Sequence, residues 1–126
     1  MATNAASPFA RDGDVTIWRR AAILTVDRAI GFVETVILLA REQGVRKLLL
    51  DTTHLEGFEP PSIPTRAEFA RRWATAAGSV MRVAFVARPE MIDPQRFAMV
   101  AAKNFGAHFA VFAVEADARA WLQNRT

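Results

Sequence analysis

The chain has 126 residues, of which 52% are hydrophobic and none is cysteine. This length and composition suit one folded domain, and they exclude disulfide bonds, thiolate catalysis and cysteine-ligated zinc. The formal net charge of +3 is carried mainly by arginines scattered along the chain, whereas nucleic-acid binding favours a concentrated basic surface, so no nucleic-acid partner is expected.

The sequence predicts a cytoplasmic protein without a transmembrane segment. Residues 1–7 are expected to be frayed, and the stretch after Met1 lacks the apolar core of a secretory signal. No apolar run approaches the roughly 20 residues that a spanning helix needs. The absence of cysteine fits a reducing compartment.

A hairpin followed by a helix is predicted for the first third of the chain. An Asp-Gly-Asp turn at residues 12–14 separates two short apolar-alternating runs at 8–11 and 15–20, which is typical of antiparallel strands joined by a tight turn. Thr25 has the properties of a helix N-cap, and the helix should cover residues 26–43 before a glycine ends it.

This first helix carries two apolar stripes, whereas a surface helix needs only one. The first stripe contains Val26, Ile30, Val33, Ile37 and Ala40, and the second contains Phe32, Val36 and Leu39. We expect the second stripe to pack on a neighbouring helix of the same chain. The alternative is that it forms the interface of a homodimer.

The most informative segment is the apolar run at residues 47–52. A lysine opens it, three leucines follow and Asp51 comes near its end, which is typical of a strand buried on both faces. Two further strands are predicted at residues 80–87 and 107–114. Because helical patterns separate all three strands, the sequence predicts a parallel sheet with helices packed on it.

Three more helices complete the predicted elements. The second helix follows a proline-rich loop at 53–64, begins between Ser62 and Thr65 and ends at Gly78. The third begins at Asp93, which an N1 proline follows. Its expected core face consists of Phe97, Val100, Ala101 and Phe105.

The last helix is predicted at residues 115–123. The complete order of elements predicts an α/β fold, formed by one domain over residues 8–126. A mostly parallel central sheet of about four or five strands would be flanked by about four helices.

A functional site is expected beyond the carboxyl ends of the parallel strands. Asp51, Thr52, Thr53 and His54 follow the central strand, and Arg88 follows the next one. Asp51 and Arg88 are expected to meet as an ion pair at the rim of the sheet. An enzyme would require both of them to converge with His54 in one cleft.

Motifs that bind cofactors or metals are not found in the sequence. It has no glycine-rich nucleotide loop, no nucleophile elbow and no metal-ligand spacing. We therefore expect no cofactor, no metal and no catalysis.

Two features of the loop and the second helix are further candidates. Ser62, and after it Thr65, lies at a helix start, where an anion or a phosphate is favoured; the alternative is a simple cap. Phe58 and its neighbouring prolines form an apolar patch that either contacts a partner or covers the sheet. A small apolar ligand would require a pocket under this loop, near Phe58 and Trp73.

Several segments resemble the SpoIIAA-like family. They are Lys-Leu-Leu-Leu-Asp-Thr-Thr at 47–53, Gly-Phe-Glu-Pro-Pro-Ser at 57–62, the strand and turn at 81–90, Ala-Ala-Lys-Asn-Phe-Gly at 101–106, and the end of the chain up to Ala-Trp-Leu at 120–122. The resemblance covers roughly residues 8–123. It implies a STAS-like fold, which is also similar to the lipid-binding SEC14 type.

The resemblance implies a non-catalytic regulatory or protein-interaction module, with a regulatory protein partner and a homodimeric state. In the anti-sigma-factor antagonists, a serine at the start of the helix after the central strand is phosphorylated. Ser62 is the closest equivalent and Thr65 the second, although this chain lacks the Asp-Ser-Ser-Gly motif and has a longer loop. The alternative function, by analogy to SEC14-like proteins, is binding of a small apolar ligand or lipid.

Overall fold

A computed structural model describes residues 8–92 and 96–124 of the chain. The elements along the chain are β1 (Phe9–Asp12), β2 (Val15–Arg19), β3 (Ala22–Ile23), α1 (Val26–Glu42), β4 (Lys47–Asp51), β5 (Leu55–Glu56), α2 (Ile63–Ala77), β6 (Arg82–Val86), α3 (Phe97–Asn104), β7 (His108–Phe112) and α4 (Glu115–Gln123). A short 3-10 turn, Pro89–Met91, follows β6. No helix in these residues has the length and apolar character to cross a membrane.

Five strands form the main sheet in the order β1-β2-β4-β6-β7. β1 pairs antiparallel with β2 in the hairpin, and every other neighbouring pair is parallel. The structure therefore confirms an α/β protein with a mostly parallel sheet and, in the described residues, four α-helices.

The helices are divided unequally between the two faces of this sheet. Spatial order follows chain order from β2 to β7, and crossovers between parallel strands are right-handed, so the three crossover helices lie on the same face. On that face α2 packs against both α1 and α3. α4 follows the last strand and packs on the opposite face, against β4, β6 and β7.

The central strand β4 contributes to both cores, as its apolar run predicts. Leu48 and Leu50 pack on the face covered by α1 and α2, whereas Leu49 packs on the face covered by α4. All three leucines have 0% exposure. Successive side chains of a strand point to opposite faces, and here each face is covered by helices.

One residue of the second apolar stripe of α1 packs on the sheet of the same chain. Phe32 lies edge-on to Trp18 of β2, with ring centroids 5.4 Å apart. Val36 is buried in the same core. The ring contact of Phe32 is therefore with strand β2 and not with the expected neighbouring helix.

The core face of α3 also differs from the expectation. Val100 and Phe105 are 56% and 53% exposed, whereas Ala98 and Ala102 are buried against alanines of α2. Small side chains let two helices approach closely, so Ala98 and Ala102 pack on α2 while Val100 and Phe105 stay largely exposed. Ala101 of the expected face also packs against this cluster. The predicted start at Asp93 lies outside the described residues.

A second, two-stranded sheet was not predicted. β3 and β5 pair in parallel, Ala22 opposite Leu55, and tie the loop after β4 to the segment before α1. Strands of two residues are too short to show a period. Gly57 follows β5 with a φ of +104°, and a Cβ there would lie 2.6 Å from the carbonyl oxygen of Leu24. Only glycine fits this close approach.

Candidate functional site

A cavity of about 130 Å³ lies at the carboxyl ends of the parallel strands, on the face covered by the crossover helices. Thr52 and Ala87, which follow β4 and β6, line it together with Val111 of β7. Phe58 of the proline-rich loop and Trp73 of α2 also line it. The further apolar residues of its wall are Val26, Ala29, Ile30, Val33, Leu55, Pro61, Phe69, Phe85, Met91, Ile92, Ala98 and Met99.

Trp73 is the most firmly placed aromatic residue of the wall. Its ring stacks between Phe69 and Phe85, with centroids 4.4 Å and 5.3 Å away. Its Nε1–H donates to the carbonyl oxygen of Ile30 at 3.0 Å. The indole is therefore held on both faces and at its polar edge, which gives the cavity a rigid apolar side.

Three arginines supply almost all the polar lining of the cavity. Arg66 donates through Nε to the carbonyl of Pro61 at 2.8 Å. Arg88 donates through Nη2 to the carbonyl of Leu55 at 3.1 Å, and Arg96 through Nη1 to a carbonyl of β7 at 2.8 Å. Among the described residues that line the cavity, none is aspartate or glutamate.

The expected ion pair between Asp51 and Arg88 is wrong. Asp51 accepts from Arg19 Nη1 at 2.9 Å, and from the backbone N–H and hydroxyl of Thr53 at 3.0 Å and 2.6 Å. It shares its direction with Leu49, which faces α4, whereas Arg88 lines the cavity on the other face. Side chains two residues apart on a strand share a face, so Asp51 points away from the cavity.

The other residues predicted at this edge are distributed as follows. Thr52 donates its hydroxyl to the carbonyl of Val86 at 2.9 Å and lines the cavity. The His54 side chain is exposed and is not part of the cavity wall. Asp51, His54 and Arg88 therefore do not share one cleft. Within the ranges 8–92 and 96–124, no three His, Asp or Glu side chains converge to hold a metal ion.

Ser62 is the N-cap of α2. Its Oγ accepts from the backbone N–H of Thr65 at 3.3 Å, and its hydroxyl donates to the Thr65 Oγ1 at 3.0 Å. Ser62 is exposed, and Thr65 is half-buried. Neither residue lines the cavity. The start of α2 therefore forms a separate surface feature next to the loop.

A network of charged side chains lies on the face of the sheet that α4 covers. Arg19 binds Glu115 through two hydrogen bonds, of 2.6 Å and 3.0 Å, as well as Asp51. Glu115 also accepts from Arg119 at 3.0 Å, and Arg119 pairs with Asp12. The network joins β1, β2 and β4 to α4. Hydrogen bonds from Arg19 lower the pKa of Glu115 to about 2.

Glu115→Gln is expected to lower the free energy of unfolding by about 1 kcal/mol near neutral pH. The Glu115 side chain is 31% exposed, and solvent therefore screens part of its attraction to the arginines. Because folding lowers its pKa from 4.5 to about 2, the stabilisation is fully present above the unfolded value and is lost as the pH falls through the folded one. Urea unfolding at several pH values measures this change.

The matched control is Glu68→Gln. Glu68 pairs with Arg71 on the exposed side of α2, where both side chains are 52% exposed, so the change should stay below about 0.5 kcal/mol at every pH. The difference between wild type and Glu115→Gln should shrink in acid. A difference that stays constant down to about pH 2 would contradict the role assigned to the Glu115 carboxylate.

Sequence reasoning missed Arg66 and Arg96, and it missed the Arg19–Glu115 pair. Arg66 lies inside a helix and Arg96 precedes one, so neither follows a strand end, where a site is expected. Arg19 and Glu115 are 96 residues apart in the chain. For the Arg19–Glu115 ion pair, the sequence offered one indication, which is that both residues lie at the ends of predicted elements.

Comparison with protein-family models finds no match to this chain. Comparisons with curated proteins and with solved structures find no significant match either. The SpoIIAA-like resemblance is therefore carried by the sequence motifs alone, and any function inferred from it is a proposal.

Proposed function

We propose that this protein is a non-catalytic binding domain that takes a small apolar ligand into the cavity beside Trp73. The observation that carries this proposal is the cavity itself, which combines an apolar wall with a few polar groups at the carboxyl ends of parallel strands. Ligands of open α/β sheets bind at this edge, and binding pockets are commonly apolar with few polar groups.

The size of the cavity limits the ligand. An apolar engineered cavity of about 150 Å³ in another protein stays dry and binds benzene. The cavity here, at about 130 Å³, would therefore take one aromatic ring or a chain of about six carbons. A longer lipid tail would have to extend out of the cavity or displace the loop that carries Phe58.

The absence of catalysis in this proposal is supported by the separation of the candidate groups. Asp51 is bonded to Arg19 and Thr53 on the α4 face, and the His54 side chain is exposed. Of the three residues that an enzyme at this edge would have combined, only Arg88 lines the cavity.

Titration with a neutral probe tests the binding function. 1-Hexanol should bind saturably with one molecule per chain, followed by calorimetry or by chemical-shift changes of cavity residues. Ala29→Leu on α1 and Ala98→Leu on α3 each enlarge a side chain that lines the cavity and should weaken binding about tenfold or more. Circular dichroism establishes that each variant is folded.

The matched control is Ala116→Leu, because Ala116 is exposed on α4, on the other face of the sheet. This variant should bind 1-hexanol as the wild type does. If the wild type shows no saturable binding of 1-hexanol, the cavity does not take a neutral apolar ligand. If folded Ala29→Leu and Ala98→Leu variants both bind normally, 1-hexanol binds outside the cavity.

A second candidate function is a STAS-like regulatory interaction module, as the SpoIIAA-like resemblance implies. The observation that favours it is the place of Ser62, exposed at the start of the helix that follows the central strand β4. In this function Ser62, with Thr65 beside it, would be a phosphoacceptor. A second protein would bind the loop before α2, and the chain would form a homodimer.

Affinity capture with Ser62→Glu tests this second candidate. If phosphorylation at Ser62 controls binding, the variant should recover a different set of partners from the wild type. Ser79→Glu is the control, since Ser79 is also exposed but lies in the turn after α2. Identical partners for all three proteins would rule out a switch at Ser62.

A further inference from the structure

The cavity beside Trp73 is apolar inside but carries only cationic charge in its lining. We infer that its ligand is a small organic acid, with an apolar body of one ring or about six carbons and a carboxylate that binds to Arg88 beside Arg66 and Arg96. This inference rests on the proposed binding function and names the class of ligand that the cavity takes.

The charge of the lining is uncompensated within the cavity. All three guanidiniums are positively charged at any physiological pH, and no described residue of the lining carries a negative charge. The nearest described carboxylate is that of Glu90, 3.8 Å from Arg88 Nη1, and its side chain is 59% exposed. A charge pair this long and this exposed is weak. An anion in the cavity would meet three cations.

Backbone carbonyls hold the arginines in place without neutralising them. Arg66 donates to the carbonyls of Pro61 and Met91, and Arg96 donates to that of Val111. A carbonyl satisfies a donor N–H and fixes the side chain, but it leaves the full positive charge available. A ligand then binds to a preorganised cationic group and orders fewer side chains on binding.

Arg88 is the strongest candidate for direct contact with the carboxylate. Its Nη2 is bonded to the Leu55 carbonyl, while its Nε is buried and has no hydrogen-bond partner in the described structure. A buried donor without an acceptor is costly, so an oxygen that reaches this guanidinium gains more than it would at a satisfied one. A carboxylate offers two oxygens in the plane that a guanidinium prefers.

The pair of probes that tests this inference is hexanoate and 1-hexanol, which have six-carbon chains and differ in charge. Wild-type protein should bind hexanoate at least about tenfold more tightly than 1-hexanol, and added salt should reduce only the hexanoate affinity. Arg88→Met, which keeps the length of the side chain and removes its charge, should bring the two affinities within about twofold. Arg88→Lys should show an intermediate preference.

Arg71→Met is the matched control, because Arg71 is exposed on α2, pairs with Glu68 and does not line the cavity. It should keep the wild-type preference. Arg96→Met gives a second test if Arg88→Met does not fold, since Arg96 is exposed; it should also reduce the preference for hexanoate.

The possible results separate this inference from the proposed function. Equal wild-type affinities for hexanoate and 1-hexanol would overturn the acid specificity and leave the binding function intact. Binding of neither compound would overturn both. A folded Arg88→Met variant that keeps the full preference for hexanoate would overturn the role of Arg88.

Discussion

Trp73→Ala is expected to lower the free energy of unfolding by about 4 kcal/mol. Trp73 is 9% exposed and lies between the rings of Phe69 and Phe85. The substitution removes both stacking contacts and the hydrogen bond to the Ile30 carbonyl, which links α2 to α1. It also enlarges a cavity that already exists, so the surrounding side chains have little means of filling the space. Urea or guanidinium unfolding measures the loss.

The comparison for this prediction is Trp121→Ala on the opposite face. Trp121 is only partly buried; it packs on Phe112 with centroids 6.1 Å apart, and the guanidinium of Arg82 lies 4.3 Å from its ring centroid. Trp121→Ala should lower the free energy of unfolding by about 2 kcal/mol, roughly half of the loss expected for Trp73→Ala. If Trp73→Ala and Trp121→Ala lower the free energy of unfolding equally, Trp73 is not packed as firmly as its contacts indicate.

Leu50→Ala is expected to lower the free energy of unfolding by about 3 to 4 kcal/mol. Leu50 lies in the middle strand of the five, opposite Trp18 of β2 on one side and Phe85 of β6 on the other. It is fully buried under α1 and α2. The cavity left by the missing atoms would lie between three strands that hydrogen bonds hold at a fixed spacing, so it cannot collapse easily.

Leu38→Ala is the matched control for Leu50→Ala, because the same atoms are removed. Leu38 lies on α1 and is 45% exposed. Its burial is small, and alanine is a better helix former than leucine, so the cost should stay below about 1 kcal/mol. Equal losses for the two variants would contradict the assignment of β4 to the middle of the sheet.

Ligand binding should also change the stability of the fold. Trp73 and Phe85 belong both to the core and to the cavity wall, so the site and the fold share side chains. A ligand that fills the cavity should therefore raise the thermal midpoint of the wild type, because it binds only the folded state. Added hexanoate should stabilise Ala29→Leu less than it stabilises the wild type.

Much of the fold could be predicted because its causes are local. The turn around Gly13 and the N-cap at Thr25 each depend on a few neighbouring residues, and the structure has both. Of the two starts left open for α2, Ser62 and Thr65, the structure uses Ser62. The strand predicted at residues 80–87 is present as β6, with Val83 and Phe85 in one core and Ala84 and Val86 in the other.

Other predictions failed where the result depended on which partner an element meets. For α3, hydrophobicity favoured Val100 and Phe105, but the alanines pack instead because α2 presents alanines at that contact. For Asp51, its position next to Arg88 in the expected site suggested a pair, but the strand places the carboxylate on the α4 face, where Arg19 lies. Hydrophobicity alone does not decide between possible neighbours.

The amino-acid sequence by itself determined the types of the four helices and of the strands of the main sheet, most of their ends and the burial of β4, because periodicity, capping and turn chemistry act over a few residues. Only the tertiary structure decided which side chains meet. Arg66, Arg88 and Arg96 come from three separate segments, and they line one cavity because the helices leave space above the strand ends. No short sequence pattern predicts this cavity, because the cavity is the volume that remains after all the elements have packed.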